Sequence, residues 1–508
     1  MQQKDIGVIE TGTESNLRSP YTSNDTIVAV ATPPGRGSVG IVRLSGTRAL
    51  SIAQVITKKK LTPRHAHYLP FYTSQQDPVE TAKAALADKQ IIDEGIVLYF
   101  KAPHSFTGED IVEFQAHGGP VVLQQLIETA SNLGARLARP GEFTERAFHN
   151  DKLDLAQAEA VADLINAQTR IAARRAQANL SGEFSATVDD LATKTLELRM
   201  YIESAIDFPE EEIDFLSDQA LHKGMKELHC ALSKTLAKAE TGRRLQQGLK
   251  VALSGAPNAG KSSLLNALTE KDSAIVTSVA GTTRDTLHEH ISLSGIPLEL
   301  IDTAGLRNTQ DLVEQAGIDR AYKAVQQADI ILWVVDATRL NKDALLNIES
   351  WHPNNTEHLL LDNESLISRR LLVVNKLDLL DNATQQLLQE TQQLLQDKEV
   401  SHSLAKLGTV FCSAANSLNL ASLTKAILKS IQADENVEDA YLARTRHTTA
   451  LKTALAHVKR AQLELQNGAG EIAAEECRMA HEALFSLTGK ITQDDLLGEI
   501  FSSFCIGK

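Results

Sequence analysis

The stretch "GAPNAGKS" (255–262) spaces two glycines, a lysine and a serine as a phosphate cradle requires. It follows the apolar run "VALSG" and opens the helical run "SLLNAL", the strand–loop–helix setting in which such a loop works. In that setting the backbone of Asn258, Ala259, Gly260 and on to Ser263 wraps N–H groups around phosphate oxygens. Lys261 supplies a point charge to the β- and γ-oxygens, and Ser262 reaches Mg²⁺. Three shorter motifs follow. Asp302, Thr303, Ala304 and Gly305 come after "LELI"; Asp302 suits indirect Mg²⁺ coordination, and the Gly305 N–H can meet a γ-phosphate. Asn375, Lys376, Leu377 and Asp378 come after "LLVV". Guanine presents N1–H and its 2-amino group side by side, and the Asp378 carboxylate can accept both, whereas adenine offers no such pair. Ser413, Ala414 and Ala415 end another apolar run and can supply a backbone N–H to guanine O6. Each motif is weak alone. In this order, each at a strand end, they imply a domain that binds and hydrolyses GTP. Many such domains place a water-orienting glutamine directly after the "DTAG" glycine; here that residue is Leu306, so hydrolysis is slow or another group assists.

Other chemistry-bearing patterns read as structural. "GRGSVG" (35–40) fits a dinucleotide loop, but "GIVRLSG" after it is strand-like and "KKK" (58–60) stands where a ribose-binding acid is needed, so a glycine-rich hairpin is expected. His65 and His67 have no cysteine or carboxylate cluster beside them and belong to a surface loop. His117 before two glycines has no G-x-S-x-G partner motif and is read as structural. The acids at 210–212 suit a helix start. The terminal "FCIGK" fits a prenylation box only formally: it ends in lysine, contains glycine and lacks polybasic support.

The elements that must position these residues fall into three textures. Residues 25–141 mix β-rich runs with one apolar helix and read as α+β, after a leader (1–24) that reads as disordered. Residues 142–249 show helical periodicity and Ala/Leu-rich runs. Residues 250–429 alternate apolar strands with helices, the pattern of a doubly wound parallel sheet. Helices resume over 430–508; too few for a free domain, they are expected to pack with the first helical part, so that the α/β domain is inserted into an all-α one. Residues 338–370 are long for a crossover and read as a surface excursion. The chain of 508 residues carries a net charge of −14, so nucleic-acid contact must use a local patch or a partner. Its four cysteines form no C-x-x-C pair, which fits a reducing compartment, and no apolar run is long enough to span a bilayer, so a cytoplasmic protein is expected.

The stretches "DTIVAVATPPGRGSVGIVRLSG", "SFTGEDIVEFQAHGG", "RPGEFTERAFHNDKLDLAQAEAVADLI", "GTTRD" and "CIGK" together resemble the bacterial tRNA modification GTPase family MnmE, also called TrmE, from about Asp25 to the last residue. That resemblance implies a multidomain α/β architecture: an N-terminal tetrahydrofolate-binding domain that dimerises, a helical domain and an inserted Ras-like G domain. It implies a partnership with the FAD-dependent subunit MnmG (GidA), in a heterotetramer or larger complex. Together these install an aminomethyl or carboxymethylaminomethyl group on C5 of the wobble uridine (position 34) of certain tRNAs. The one-carbon unit would come from 5,10-methylene- or 5-formyl-tetrahydrofolate. The resemblance also bears on Leu306: K⁺ beside the phosphates would do the work of an arginine finger, held by Asn258, Thr277, Val279 and Thr282. The loop containing Ser278, Ala280 and Gly281 would close over it; Thr283 would complete the Mg²⁺ shell and Glu314 would help orient water as a catalytic residue. Folate positions carry over as Arg43, Glu113, Lys152 and Lys508, with Cys505 brought near the one-carbon unit; a buried thiol remains the plain alternative for that cysteine. A ribosome-assembly GTPase would share the nucleotide motifs but needs a basic RNA module, and a folate-binding scaffold would not need the full GTPase set.

Overall fold

The computed structural model describes residues 25–73, 91–207, 219–256, 258–271, 288–293, 296–302, 325–339, 368–381, 408–430, 439–489, 494–502, 504 and 507. The chain divides into two compact units, Met1–Asp154 with Thr492–Lys508, and Leu155–Ile491.

In the first unit, β1 (Ile27–Val30), β2 (Gly37–Ser45), β3 (His67–Tyr72), β4 (Ile91–Phe100), β5 (Ile111–Gly118) and β6 (Arg136–Leu137) form one sheet in the order β3-β4-β5-β2-β1-β6. All pairings are antiparallel except β1 with β6. "GRGSVG" therefore runs into a strand that hairpins back on β1, as the strand-like residues after it require. Strand residues alternate between faces. Val28, Val42, Leu44, Phe71, Val97 and Phe114 point to the face covered by α1 (Ala49–Thr57) and α2 (Pro120–Asn132). Ile27 and Ala29 point the other way, onto Phe143 of α3 (Glu142–His149).

The boundary expected at Glu142 and the one found at Asp154 differ. α3 joins the first unit because its polar side is bound there too. Arg146, 1% exposed, meets Asp25, Glu109 and Glu142, and Arg136 closes on Glu142 at 2.5 Å. Burial alone would raise the Glu142 carboxyl; Arg136, the Arg139 N–H and Arg146 outweigh it and hold it at about 2. The C-terminal helix Asp494–Ser502, expected with the helical bundle, also belongs to this unit and packs on α3, with the Phe148 and Phe501 rings 6.3 Å apart.

The second unit holds α4 (Leu155–Asn166), α5 (Arg170–Leu180), α6 (Glu183–Asp207) and α7 (Gln219–Gln247) ahead of a second sheet. The sheet elements are β7 (Leu249–Ser254), α8 (Lys261–Lys271), β8 (His288–Leu293), β9 (Ile296–Asp302), β10 (Ile330–Asp336), β11 (Arg370–Asn375), β12 (Thr409–Phe411) and α9 (Leu420–Ser430). After it come α10 (Thr445–Gln466) and α11 (Gly470–Thr488), which pack against α7 and α6 around Phe184, Leu191, Met225, Leu232, Val458 and Leu484. The α/β part is therefore inserted between helices that form one bundle. Its return is clamped: Arg175 and Asn179 of α5 each donate at 2.6 Å, to the carbonyls of Ala440 and Leu442. A few residues beyond that segment, Arg446 and His447 bind the buried Glu159 of α4. The second sheet runs β12-β11-β10-β7-β9-β8, parallel except for the β8–β9 pair. Among the described residues no helix is long and apolar enough to cross a membrane.

The leader, the acids at 210–212 and all but the ends of the 338–370 excursion lie outside the described residues.

Candidate nucleotide site and N-terminal pocket

In a parallel sheet every strand ends at the same edge, and ligands of doubly wound folds bind there. β7 delivers the phosphate loop to that edge, β9 delivers Asp302, β11 delivers Asn375 and β12 leads into Ser413. Motifs scattered over 160 or so residues of chain thus meet because five strands are parallel neighbours.

The loop itself is wound tightly. Asn258 adopts φ 64°, a left-handed conformation that asparagine tolerates better than most residues, and Gly260 adopts φ 93°. A Cβ on Gly260 would overlap the Asn375 amide, so this loop and the "NKLD" turn touch. Asn375 fastens the contact: its Nδ2 donates to Ala259 O at 3.1 Å, and its Oδ1 accepts the Ala414 N–H at 3.0 Å. One buried amide therefore ties the phosphate loop to the base-recognition turn. Lys261, 5% exposed, donates to the carbonyls of Gly255 (2.6 Å) and Ala256 (2.9 Å), which lays its ammonium along the inside of the loop. Ser262 and Ser263 are exposed in the first turn of α8, where N–H groups and the helix dipole favour anions.

At the base end, Ser413 Oγ donates to Asp378 Oδ1 at 2.5 Å and accepts the Asn416 N–H at 3.2 Å. A carboxylate has about four acceptor positions, so this bond orients Asp378 and leaves capacity for two further donors. Cys412, just before this turn, is fully buried, and burial pushes its thiol up to about 12, so it is a packing group.

Sequence reasoning missed Asp336. It ends β10, accepts the Lys376 ammonium at 2.7 Å and is capped by the Thr338 hydroxyl at 2.8 Å. Burial would raise its carboxyl, but these partners outweigh that and hold it below the ordinary range. Lys376 sits at φ 69°, and this bond fixes its stem over the nucleotide edge. The signal was available: "DIILWVVD" ends in a carboxylate at the same edge as the other motifs.

The first unit gathers residues by register instead. Arg43 and Glu113 are direct partners across β2 and β5, with Arg43 Nε donating to Glu113 Oε1 at 2.8 Å. Arg43 lies 5.7 Å from the Phe143 ring centroid, and its Nη1 donates to the Gly507 carbonyl at 3.5 Å. Two residues along β2, the Ser45 hydroxyl meets Thr107 and Glu109, each at 2.7 Å. Asn150 donates to Thr107 O at 2.7 Å, and the Lys152 stem passes beside Gly108. Arg43 and Glu113, two of the four expected folate positions, therefore share one face of one sheet, and Gly507 reaches the same place. His117 is engaged elsewhere: its Nδ1 and N–H both bind Asp93, at 2.9 and 2.7 Å. Among the described residues no His, Cys, Asp and Glu group could hold a metal ion. His65 is exposed in a loop, but His67, expected in the same loop, opens β3 half-buried, and its Nε2 accepts the Thr62 N–H at 3.0 Å.

Thr277 to Thr283, Thr303 to Leu306, Glu314, Cys505 and Lys508 lie outside the described residues, as does the side chain of Asp302.

Comparison with known proteins identifies the family. A family model described as the MnmE helical domain matches residues 155–505, and one described as the GTP-binding protein TrmE N-terminus matches residues 26–152. A tRNA modification GTPase MnmE of Francisella tularensis subsp. tularensis (strain WY96-3418) is 47% identical over 488 residues, 96% of this chain and 100% of that protein. One from Chromohalobacter salexigens is 46% identical over 491 residues, 96% of this chain and 99% of that protein. Among solved structures, Aquifex aeolicus Era is 26% identical and covers 41% of this chain and 66% of its own, at a TM-score of 0.26.

Proposed function

The chain belongs to the MnmE family of tRNA modification GTPases, and from that premise we propose a potassium-activated GTPase that works with an FAD-dependent MnmG-type partner on the wobble uridine of tRNA. The proposed product carries an aminomethyl or carboxymethylaminomethyl group at C5, built with a tetrahydrofolate one-carbon unit, and the proposed setting is the cytoplasm.

The observation that carries the nucleotide half is Asn375. It bridges the phosphate loop and the turn bearing Ala414, so phosphate and guanine are read by one connected frame. In that frame Asp378 accepts the two guanine donors, and the Ala414–Ala415 backbone faces O6. Lys261 turns from loop carbonyls to phosphate oxygens. The donor set fits both cations: the Ser262 hydroxyl and Asp302, with Thr283, suit Mg²⁺, and the amide oxygen of Asn258, with groups of Thr277, Val279 and Thr282, suits a larger monovalent ion. When bound, such cations supply positive charge against oxygens that gain charge as the γ-phosphate leaves. Leu306 cannot orient water, so Glu314 is assigned that role.

The folate half rests on the Arg43–Glu113 pair. A pterin presents adjacent N–H donors that the Glu113 carboxylate accepts, while Arg43, Lys152 and Lys508 suit its anionic tail. Cys505, two residues before Gly507 in the sequence, is assigned to the same one-carbon chemistry in this reading. Homodimerisation through the first unit is part of the same reading, supported by Tyr68 (69% exposed) and Ile96 (37% exposed), paired on the sheet face away from α1 and α2.

Two measurements test this. Nucleosides of tRNA from a strain lacking the chain should lose the modified wobble uridine; full retention would refute the tRNA assignment. GTP turnover should be much faster in KCl than in NaCl at equal ionic strength, with Asn258→Ala removing the difference. Equal turnover in the two salts would refute potassium activation.

A further inference from the structure

Asp336 closes β10 directly opposite Asn375 of β11, so it stands at the sheet edge beside the first residue of "NKLD". The carboxylate is buried, and its two oxygens are committed differently. Oδ1 accepts the Thr338 N–H at 3.0 Å and the Thr338 hydroxyl at 2.8 Å, a local cap on the turn Ala337–Arg339 that follows the strand. Oδ2 accepts the Lys376 ammonium at 2.7 Å. The cap accounts for Oδ1 and leaves Oδ2 unexplained, because an aspartate holds such a turn without help from a distant lysine. Arg339 lies 4.0 Å from the same Oδ2, but its side chain is 62% exposed, and a surface pair of that kind adds little. Nor is stability a sufficient reason for the bond to Lys376, since desolvation offsets most of the attraction in a buried ion pair.

The bond draws Lys376 along a defined path. Lys376 leaves the backbone at φ 69°, and a Cβ built on Gly260 would lie 3.8 Å from its Cε. The stem therefore runs beside the phosphate loop at Gly260, between the turn that carries Asp378 and the end of β10. Asn375 grips the same loop through the Ala259 carbonyl. Two consecutive side chains thus divide the work: the amide fastens the loop, and the lysine stem lines the space between the loop and the base-recognition turn. That stem is four apolar carbons long, so a purine or ribose can rest its face against it while Asp378 takes the edge of the base. A free lysine is rich in rotamers, and ordering it costs affinity when a ligand does the ordering. Asp336 orders it through a contact within the protein.

We propose that Asp336 is a positioning residue for nucleotide binding: without touching the ligand, it holds the Lys376 stem as the wall against which the face of the guanine nucleoside lies. It therefore sets affinity for GDP and GTP alike and leaves the choice of base to Asp378. The inference rests on the reading of Asp378 as the guanine acceptor and adds the residue that holds the neighbouring wall in place.

The test is a double-mutant cycle in the full chain with Asp336→Asn, Lys376→Met and the two combined. Binding of GDP, GTP and xanthosine triphosphate, steady-state hydrolysis in KCl and thermal melting are measured for each. Asp336→Asn should weaken GDP and GTP by the same factor, about 3–10-fold, the range for ordering one rotamer-rich side chain on binding. KM should rise by that factor with kcat unchanged, the pattern of a contact made equally in ground and transition states. The ratio of GTP to xanthosine triphosphate affinity should stay at the wild-type value. In the Lys376→Met background, Asp336→Asn should have no further effect, whereas a purely structural cap would cost the same with or without the lysine. Should Asp336→Asn melt early, Thr338→Val closes the same cycle, because it removes one of the bonds that aim the carboxylate. Its loss should be smaller and should again vanish in Lys376→Met. Additive losses in either cycle, equal binding by wild type and Asp336→Asn, a fall in kcat at constant KM, or a shift of preference toward xanthosine triphosphate would each overturn the proposal. Asp378→Asn is run beside these variants: an unchanged base preference there overturns the guanine reading itself, whereas equal GDP and GTP binding by Asp336→Asn overturns the positioning role alone.

Discussion

The two candidate sites of this molecule are assembled by opposite means. In the nucleotide site, each of the four short motifs follows a strand end, and parallel topology brings the ends together. In the N-terminal pocket, Arg43 meets a partner 70 residues away through antiparallel register and a carbonyl 464 residues away through the chain terminus. A site made of local motifs tolerates change in the chain between them, because each motif carries its own geometry. A site made by register does not: a slip of one residue between β2 and β5 would turn either Arg43 or Glu113 to the opposite face.

The largest effect expected from this contrast comes from Lys261→Ala. It removes a buried cation from the phosphate loop, and loss of one transition-state donor typically costs about 10²–10³ in turnover. Folate affinity, measured by equilibrium binding of 5-formyltetrahydrofolate, should be unchanged. A parallel drop in folate binding would break the separation of the two sites.

The same contrast explains what could be read in advance. The nucleotide motifs were legible because "GAPNAGKS", "DTAG", "NKLD" and "SAA" each state a local geometry, and the apolar run before each states a strand. The inserted arrangement was legible as well, since too few helices follow Leu428 to stand alone. The allegiance of α3 was not. "GEFTERAFHN" has a helical period, but whether Phe143 faces a bundle or a sheet depends on Ile27 and Ala29, more than a hundred residues earlier. The final helix misled for the same reason: its periodicity announces a helix and says nothing of which partner receives Phe501. Asp336 was overlooked because one acid after an apolar run has no motif around it; its meaning comes from Lys376, 40 residues on. From spacing alone Arg43, Glu113 and Lys152 were invisible; only the family resemblance singled them out, and the register of β2 and β5 puts two of them in contact.

Asp378→Asn should have the next effect and sharpens the nucleotide side of the comparison. It replaces a charged double acceptor with a group that can accept once and donate once. Each hydrogen bond to a charged group is worth about 1.5–3 kcal/mol, so GTP affinity should fall by roughly tenfold or more. Xanthosine triphosphate, whose 2-oxo group accepts a hydrogen bond, should gain. Ser413 remains as donor and keeps the side chain oriented, so the phosphate loop should be undisturbed. Unchanged preference for GTP in competition binding would remove Asp378 from base recognition.

The smallest effect is expected where the comparison is hardest to test, at the tail. Gly507 sits at φ 95°, and a Cβ there would overlap the carbonyl oxygen of Val30 at the end of β1. Alanine can meet that situation in only two ways. It can hold the left-handed conformation at a cost of roughly 1–2 kcal/mol and push Val30 aside, or it can release the contact and let the last residues lift away. Either response loosens the Gly507 carbonyl from Arg43, and with it the hold on the residue that follows, the proposed folate ligand Lys508. Gly507→Ala should therefore weaken folate binding by about 5–30-fold, the equivalent of that strain, and lower wobble-uridine modification in a reaction reconstituted with the partner. GTP turnover in KCl should stay at the wild-type value, because no nucleotide motif lies in the tail. A second variant separates packing from chemistry: Cys505→Ser keeps Gly507 and its seat, so it should retain folate affinity and lose modification only if the sulfur takes part in the one-carbon step. Undiminished folate affinity in Gly507→Ala would mean that the terminus is a plug on β1 and that Arg43, Glu113 and Lys152 hold the ligand without it.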